Sequence, residues 1–366
     1  MMMETIPVFL LWCAAALAVV SAVQIPFRRK KMRPVIRAVI IAAKAFLAVV
    51  FAFLTMAGPV QLRFAQPLMT ALYAVLFADA AADLLCSIIF AVLKKERSFA
   101  VSKTVSVVCC ILFIAYGVWN MQTVTPRNHT YTSDKLEKEY TVVFAADLHV
   151  GSAQPFSVTE KTVKRIKEIR PDATILGGDI VDDYTTKAEM QSFFHLFSDF
   201  ETPVYFIYGN HDRQGYAQYA GGVQFTRQEL EDAIRENGVT VLKDEFISVA
   251  PDLMLLGRED ISEGDGREDI SDLINPAPEK YLIVVDHQPV RFQDNLSVGA
   301  DLQLSGHTHA GQLYPLGWMY AAIGYSYGDY ASEGGLLNVS AGACGWRMPF
   351  RTEAGCHYEV VTLKPD

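Results

Sequence analysis

Residues 140–149 read YTVVFAADLH, an apolar run of strand length followed at once by an Asp-x-His triplet. Two further apolar runs end in the same way, in ATILGGD at 173–179 and in VYFIYGNHD at 204–212. The stretches at 158–169 and 187–200 between them predict helices, because their apolar residues recur at helical spacing. Strands that alternate with helices predict parallel βαβ units and an α/β fold.

The remainder of this region is richer in strands than in helices. A helix is predicted at 226–237, with Gly238 as its stop signal, and a short one at 267–274. Further strands are predicted at 239–242, 246–249, 253–256, 281–285, 301–304, 336–340 and 358–363. The pattern favours stacked sheets with helices on the outside.

The N-terminal third differs from the remainder in charge and hydropathy. Residues 1–120 carry a formal net charge of +8, whereas residues 121–366 carry −17. A bilayer-spanning helix takes about 20 mostly apolar residues, and four stretches qualify: 6–23, 35–57, 68–93 and 104–121. We therefore expect a transmembrane region at 1–121, a polar linker at 122–139 and a second domain at 140–366.

Basic residues are distributed unevenly among the loops. The loop after the first span contains Arg28, Arg29, Lys30, Lys31 and Arg33. The loop after the third span contains Lys94, Lys95, Arg97 and Lys103, whereas the loop between spans two and three has only Arg63. Basic loops stay in the cytoplasm. The sequence thus predicts a multi-pass membrane protein whose second domain is extracytoplasmic.

Charged residues also fall within the spans, namely Lys44, Asp79 and Asp83. Charges at this depth are costly and usually face a partner or a cavity. An ion pair between spans two and three accounts for them, and so does an ion or headgroup site. In the second domain, Cys344 and Cys356 would be able to form a disulfide in an oxidising compartment.

Five polar clusters follow predicted strands and together carry most of the histidines. They are Asp147-Leu148-His149, Gly177-Gly178-Asp179, Gly209-Asn210-His211-Asp212, His287-Gln288-Pro289 and Gly306-His307-Thr308-His309. Each cluster alone is common in surface turns. Together they supply oxygen and nitrogen donors without thiolate, which suits Zn²⁺, Mn²⁺ or Fe²⁺. The donors are too many for one tetrahedral ion and suit two ions bridged by a carboxylate.

In this order the clusters make residues 140–364 resemble the calcineurin-like metallophosphoesterase superfamily, whose pattern is D-x-H, G-D, G-N-H-D/E, H and G-H-x-H. A finer resemblance to membrane-attached bacterial relatives of the YkuE and LpxG groups is carried by the stretches 257–260, 286–289, 306–312 and 345–351. The resemblance implies a four-layer αββα sandwich, in which helices flank two mixed β-sheets, and two divalent metal ions.

The resemblance also implies a role for each matching residue. The first metal would be held by Asp147, His149, Asp179 and His309, with Asp179 bridging to the second. The second metal site would be completed by Asn210, His287 and His307. In the family a metal-bridging hydroxide attacks phosphorus. His211 would then stabilise the phosphoryl group or protonate the leaving oxygen, and Asp212 would orient His211.

Two arginines, Arg347 and Arg351, lie in a glycine-containing stretch near the C-terminal end of the sequence. A guanidinium group binds phosphate well, so they are candidates for a second phosphate or a headgroup. Ion pairs on the surface account for them equally well.

The leading functional expectation is a membrane-anchored, metal-dependent phosphoesterase that acts on a phosphodiester or pyrophosphate bond of a lipid or cell-envelope substrate. Some relatives cleave the pyrophosphate of UDP-2,3-diacylglucosamine, which is an alternative substrate although such nucleotide-activated lipids are normally cytoplasmic. A non-enzymatic receptor or transporter with a metal-binding outer domain is the rival class. The charge of −17 disfavours nucleic acid, because phosphate backbones are held mainly by Lys and Arg.

Overall fold

The computed structural model describes residues 5–24, 33–57, 66–273 and 279–366. Its N-terminal part consists of four long helices: α1 (Thr5–Gln24), α2 (Pro34–Ala57), α3 (Gln66–Val92) and α4 (Phe99–Met121). Each is long and apolar enough to cross a membrane. The prediction of four apolar helices is thus confirmed. The loop residues outside the described ranges include Arg28, Arg29, Lys30, Lys31 and Arg63.

Helix α3 packs against α1, α2 and α4 and contains half of the buried residues of the four described helices. Its Asp79 accepts a hydrogen bond from Lys44 Nζ at 2.6 Å. Asp83, one turn further along α3, also accepts a hydrogen bond from Lys44. The predicted ion pair between the second and third helices is therefore present.

The remainder of the described chain contains the strands β1 (Val124–Thr132), β2 (Tyr140–Ala145), β3 (Ala173–Gly177), β4 (Val204–Ile207), β5 (Val239–Val241), β6 (Glu245–Ala250), β7 (Leu253–Gly257), β8 (Tyr281–Val285), β9 (Leu302–Ser305), β10 (Gly328–Ser332), β11 (Gly335–Val339) and β12 (Cys356–Lys364). They form two six-stranded sheets in the orders β1-β12-β2-β3-β4-β5 and β10-β11-β9-β8-β7-β6. Both sheets are mixed. In the first sheet β2 to β5 are parallel to one another, and β12 is antiparallel to β2. In the second sheet β7, β8, β9 and β11 are parallel, and the edge strands β6 and β10 are antiparallel to their neighbours.

The helices of this domain are α5 (Phe156–Ile169), α6 (Lys187–His195), α7 (Arg227–Glu236), α8 (Phe292–Ser297) and α9 (Leu316–Ala321). Apolar residues of α5, α6 and α7 pack on the outer face of the first sheet, and a separate apolar cluster fills the space between the sheets. Phe292 of α8 packs on Leu337 and Val339 of the second sheet. Two mixed sheets flanked by helices are therefore the observed architecture, as expected.

Helix boundaries follow local capping chemistry. Thr226 and Glu229 form a capping box at the start of α7, in which each side chain bonds the other residue's backbone N–H. Helix α6 also begins with a capping box, formed by Thr186 and Glu189. It ends at His195, five residues before the predicted end. The short helix expected at 267–274 is replaced by 3₁₀ turns at Ile261–Gly266 and Ile270–Asp272, and residue 274 lies outside the described ranges.

The region expected to be a linker, 122–139, contains β1, which pairs in parallel with β12 along its whole length. The sequence does not predict this strand, because only Val124 and His129 are buried and apolar residues therefore do not alternate along it. Nor do Cys344 and Cys356 form a disulfide, since both are free, buried thiols.

The domain rests directly on the helical bundle. Phe350 lies against Gly117 of α4, where any Cβ atom would collide with its ring, and 5.2 Å from the ring of Phe9. The hydroxyl of Tyr73 in α3 donates to the Tyr314 carbonyl at 3.0 Å. These residues join bundle and domain in one apolar cluster.

Candidate binuclear metal centre

The predicted ligands meet where strands of both sheets end. Asp147 and Asp179 follow the parallel strands β2 and β3, while His287 and His307 follow β8 and β9. Backbone bonds continue beyond the strands, from Asp147 N–H to Gly178 O at 3.0 Å and from Gly306 N–H to His287 O at 2.9 Å. The carboxyl ends of parallel strands share one sheet edge, so the loops converge on one place.

Two groups of ligand atoms result, and within each group the atoms lie within 4.8 Å of one another. One group contains Asp147, His149 and His309, with 3.3 Å between the two Nε2 atoms and 3.6 Å from His309 Nε2 to Asp147 Oδ1. The other contains Asp179, His287 and His307. The prediction assigned Asp179 to the first metal, whereas in the structure it groups with the residues predicted for the second.

Asp179 faces both groups. Its Oδ2 atom lies 3.1 Å from His287 Nε2 and 3.9 Å from His149 Nε2. Nearby, Asn210 Oδ1 is buried without a hydrogen-bond partner among the described residues. A buried polar atom without a partner is costly. A divalent cation held by these residues would satisfy it, so they fit the metals that the sequence implies.

The histidines are oriented by their second ring nitrogen. His287 Nδ1 lies 2.9 Å from the Gly177 carbonyl, and His309 Nδ1 lies 3.2 Å from the Cys344 carbonyl. An Nδ1–H that donates to a carbonyl leaves the Nε2 lone pair for a metal. His149 Nδ1 lies 3.3 Å from Asp182 Oδ2, which places a carboxylate behind the third imidazole.

The backbone of this centre is strained. Five predicted ligands have positive φ angles: Asp147 (54°), His149 (41°), Asp179 (51°), His307 (72°) and His309 (50°). Each such residue costs roughly 1–3 kcal/mol and persists only where its surroundings impose it. Glycine is required beside them. At Gly178 φ is 87°, and a Cβ atom there would lie 2.6 Å from His287 Nδ1.

Burial and neighbouring charges compete in the electrostatics of the ligands. Burial raises the pKa of Asp147 and lowers the pKa of His307 to about 4. Burial acts on His287 in the same downward direction, but the Asp179 carboxylate outweighs it and raises the pKa of His287. Carboxylates removed from water need a compensating cation, and metal ligation needs neutral imidazole. The raised pKa of His287 shows that the Asp179 carboxylate favours a positive charge beside it, which a bound cation would supply in place of the proton.

The structure corrects the role predicted for Asp212. Its carboxylate accepts the backbone N–H groups of Gly209, Asp179, Ile180 and Val181 at 2.6–3.0 Å. Asp212 therefore braces the loops after β3 and β4 and does not contact His211 Nδ1.

Asp183 takes the position that the sequence analysis gave to Asp212, since its Oδ2 atom lies 2.9 Å from His211 Nδ1. Asp182 and Asp183 were both missed. The available signal was the Asp-Asp pair that closes the stretch GGDIVDD at 177–183, in the same loop as Asp179.

His211 lies beside the ligands. Its backbone N–H donates to Asp179 Oδ1 at 2.8 Å, and its ring centre is 5.6 Å from that of Trp346. Burial lowers the pKa of His211, but Asp179 and Asp183 together outweigh burial and raise it to about 9. The two carboxylates therefore favour the protonated imidazole, the form that can donate a proton.

Arg351 is not available for substrate, contrary to expectation. It is fully buried, and its guanidinium donates to the carbonyls of Ala354, Cys344, His309 and Ala341. Its function is to hold the His309 segment. By contrast, Arg347 stacks on the ring of Trp346 at 4.1 Å and therefore lies at the same rim as His211.

Comparisons with known proteins agree with this geometry. The family model of the calcineurin-like phosphoesterases matches residues 140–311. An uncharacterized metallophosphoesterase of Helicobacter pylori strain J99 is 28% identical over 242 residues, which cover 63% of this chain and 62% of that protein. The match thus leaves more than a third of that relative's length uncovered.

Two further relatives are similar. The uncharacterized metallophosphoesterase YkuE of Bacillus subtilis is 28% identical over 240 residues, covering 62% of this chain and 79% of YkuE. The phosphodiesterase YaeI of Escherichia coli is 28% identical over 185 residues, covering 48% of this chain and 62% of YaeI.

Proposed function

Because residues 140–311 form a calcineurin-like metallophosphoesterase domain, we propose that this chain is a membrane-anchored phosphoesterase that uses two divalent metal ions to hydrolyse a phosphodiester or pyrophosphate bond. The proposal is carried by one observation, the two buried ligand groups that Asp179 faces in common. A surface turn or a structural core would not gather these donors on strained backbone.

Each residue of the centre has a role in this proposal. Bound cations of the Mn²⁺, Zn²⁺ or Fe²⁺ class would polarise the phosphoryl oxygens and lower the pKa of a coordinated water. Protonated His211 donates to a phosphoryl oxygen or to the leaving oxygen, and Asp183 holds its Nδ1 atom. Arg347, at the rim, supplies a cation for a second phosphate or a headgroup.

The surroundings of α9 support a lipid or envelope substrate. This helix begins five residues after the 3₁₀ turn that starts at His309, and it packs against the membrane-type helix α2. Trp318 and Ile323 are 68% and 86% exposed, although both are large and apolar. Exposed aromatic and aliphatic side chains beside membrane helices favour insertion at the bilayer interface. The site would then open next to lipid.

The orientation decides between substrates. With the domain outside the cytoplasm, a phospholipid or envelope phosphodiester is the substrate class we propose. With the domain inside, a pyrophosphatase of the UDP-2,3-diacylglucosamine type would take its place. The apolar, exposed α9 is compatible with both, because both substrates carry acyl chains.

Hydrolysis of bis-p-nitrophenyl phosphate by the full chain in detergent tests the activity. We expect Mn²⁺-dependent turnover that a chelator abolishes and that His149→Ala lowers at least 10²-fold. A fragment beginning near residue 130 is unsuitable, because it would cut β1. Metal-loaded protein without turnover on this ester and on a panel of lipid phosphoesters would leave a binding protein as the remaining class.

The same panel tests the lipid assignment. We expect phosphodiesters with acyl chains to be hydrolysed at least tenfold more efficiently than their deacylated counterparts. Trp318→Ser should remove this preference, while it leaves turnover of bis-p-nitrophenyl phosphate unchanged. Equal efficiency on both substrate types would contradict a lipid substrate without contradicting phosphoesterase activity.

A further inference from the structure

A second polar site lies within the helical bundle, in a cavity of about 430 Å³. All four helices contribute to its wall, α1 through its last residues and α4 through its first. The phosphoesterase domain contacts the other ends of these helices, at Phe9, Tyr73 and Gly117. The cavity is therefore remote from the metal centre and is not part of it.

Cations dominate the polar wall of the cavity, which includes Arg37, Lys44, Arg97 and Lys103. Among the described residues of this wall only Asp83 is acidic, and Asp79, one turn away on α3, is buried.

The two carboxylates are already shared among these cations. Lys44 binds both of them, Lys103 Nζ lies 3.4 Å from Asp79, and Arg97 pairs with Asp83. Arg37 Nε is buried without a hydrogen-bond partner among the described residues. Two carboxylates cannot neutralise four cations, and uncompensated charge inside an apolar bundle is costly. The cavity therefore favours an anion.

The apolar part of the wall includes Val19, Val20, Val23, Ile40 and Leu76. A ligand that fits both the polar and the apolar part combines an anionic group with a hydrocarbon chain. The cations also lie at a suitable depth, because Lys103 is in the second turn of α4 and Arg97 in the connection before it. At 1.5 Å per residue, both are within about 10 Å of the helix end, the level of lipid headgroups.

We propose that this cavity binds an anionic phospholipid, with the headgroup phosphate among Arg37, Arg97 and Lys103 and an acyl chain along the apolar wall. Basic pockets between membrane helices recognise anionic headgroups in this way. The site lies at the end of the bundle away from the phosphoesterase domain, so the lipid comes from the leaflet on that side. The proposal does not depend on the phosphoesterase activity.

Native mass spectrometry of the full chain in detergent, with chelator present to keep the metal centre empty, tests this site. The chain is titrated with phosphatidylglycerol, with phosphatidylcholine and with glycerol phosphate. We expect phosphatidylglycerol to bind at least tenfold more tightly than the other two. Arg37→Gln and Lys103→Gln should each weaken its binding about fivefold.

Arg33→Gln is the matched control, because Arg33 is an exposed cation at the same end of α2 that does not line the cavity. It should leave lipid binding unchanged, and Arg37→Gln should leave hydrolysis of bis-p-nitrophenyl phosphate unchanged. Should Arg37→Gln fail to fold, Lys103→Gln carries the test.

Three results would overturn the assignment. The first is binding of phosphatidylcholine as tight as that of phosphatidylglycerol, and the second is a loss of binding in Arg33→Gln as large as in Lys103→Gln. Glycerol phosphate that binds as tightly as the lipid would identify a site for a free phosphate ester instead.

Discussion

Asp179 combines a strained backbone with a carboxylate that serves several partners. Its φ angle is 51°. Oδ1 accepts the His211 N–H at 2.8 Å, while Oδ2 faces His287 and His149. Such a strained conformation persists only where the surrounding structure imposes it, often at functional sites. Here it places an anionic donor between two groups of ligands.

Asp179→Asn should therefore lower metal content as well as rate. The change removes a negative charge from between two cations, and an amide is a poor bridging donor. We expect elemental analysis of the purified chain to show one metal or fewer, with turnover reduced at least 10²-fold. Asp199→Asn, at an exposed carboxylate, is the control. Two metals per chain in the Asp179 variant would refute bridging.

His211 and Asp183 should affect proton transfer without affecting metal content. His211→Ala is expected to lose about 10²–10⁴-fold on alkyl phosphoesters and far less on p-nitrophenyl esters, whose leaving group departs without a proton. Asp183→Asn should show the same dependence on the leaving group to a smaller extent.

Asp212→Asn should behave differently, because this carboxylate binds backbone rather than His211. We expect a lower unfolding midpoint and similar losses on both ester types. A leaving-group dependence that appears in the Asp212 variant and not in the Asp183 variant would reverse our correction.

At this scale, the sequence is informative where a motif fixes a side chain at a strand end. Asp147, His149 and His309 could be assigned to one group in this way. The sequence does not show in which direction a side chain points. The neighbouring carboxylates of Asp182 and Asp183 face different histidines, His149 and His211. Likewise, the positive charge of Arg351 does not indicate that its guanidinium group donates to backbone carbonyls inside the domain.

At the scale of elements, β1 is held to the domain partly by an ionic contact. His129 Nε2 lies 2.8 Å from Glu359 Oε2 of β12, and His129 Nδ1 lies 3.4 Å from Asp329 Oδ2 of β10. His357 approaches the other oxygen of Glu359 at 3.0 Å. Burial lowers the pKa of His129, but the two carboxylates outweigh it and raise the pKa to about 9.

Stability should therefore fall as His129 loses its proton. A raised histidine pKa stabilises the fold fully below the unfolded value near 6.5, and this contribution disappears as the pH rises through about 9. At pH 7 we expect His129→Gln to cost roughly 1–3 kcal/mol.

Unfolding midpoints of the full chain in detergent, measured from pH 6 to pH 10, check this. The difference between the wild-type protein and His129→Gln should shrink as the pH rises from about 6.5 to about 9. His195→Gln, at an exposed histidine, should show no such trend. A difference that stays constant to pH 10 would exclude the ionic contact as its source.

Elements with an apolar face could be predicted, and those held by polar contacts could not. Strands β2, β3 and β4 are almost completely buried, and each begins at the first residue of the apolar run that predicts it. Strand β1 reads as a linker, because its attachment depends on backbone pairing with a strand more than two hundred residues away. No local pattern encodes such a partner.

At the scale of the whole molecule, the orientation remains a prediction from the basic loops. We expect an impermeant maleimide on intact cells to label Asp134→Cys, in the domain, and not Lys95→Cys, in the basic connection after α3. Both positions are exposed, whereas five of the six native cysteines are buried. Labelling of Lys95→Cys alone would place the domain in the cytoplasm.

The hydrogen bonds of Arg351 have a consequence for biogenesis. Its backbone N–H donates to the Gly117 carbonyl of α4 at 3.0 Å, and its side chain holds the carbonyl of His309. Asn120 of α4, which binds the Arg351 carbonyl, is translated 231 residues earlier. The ribosome thus delivers the membrane helix long before the segment that holds the His309 loop. We therefore expect the proposed hydrolytic activity to arise only after α4 has been inserted.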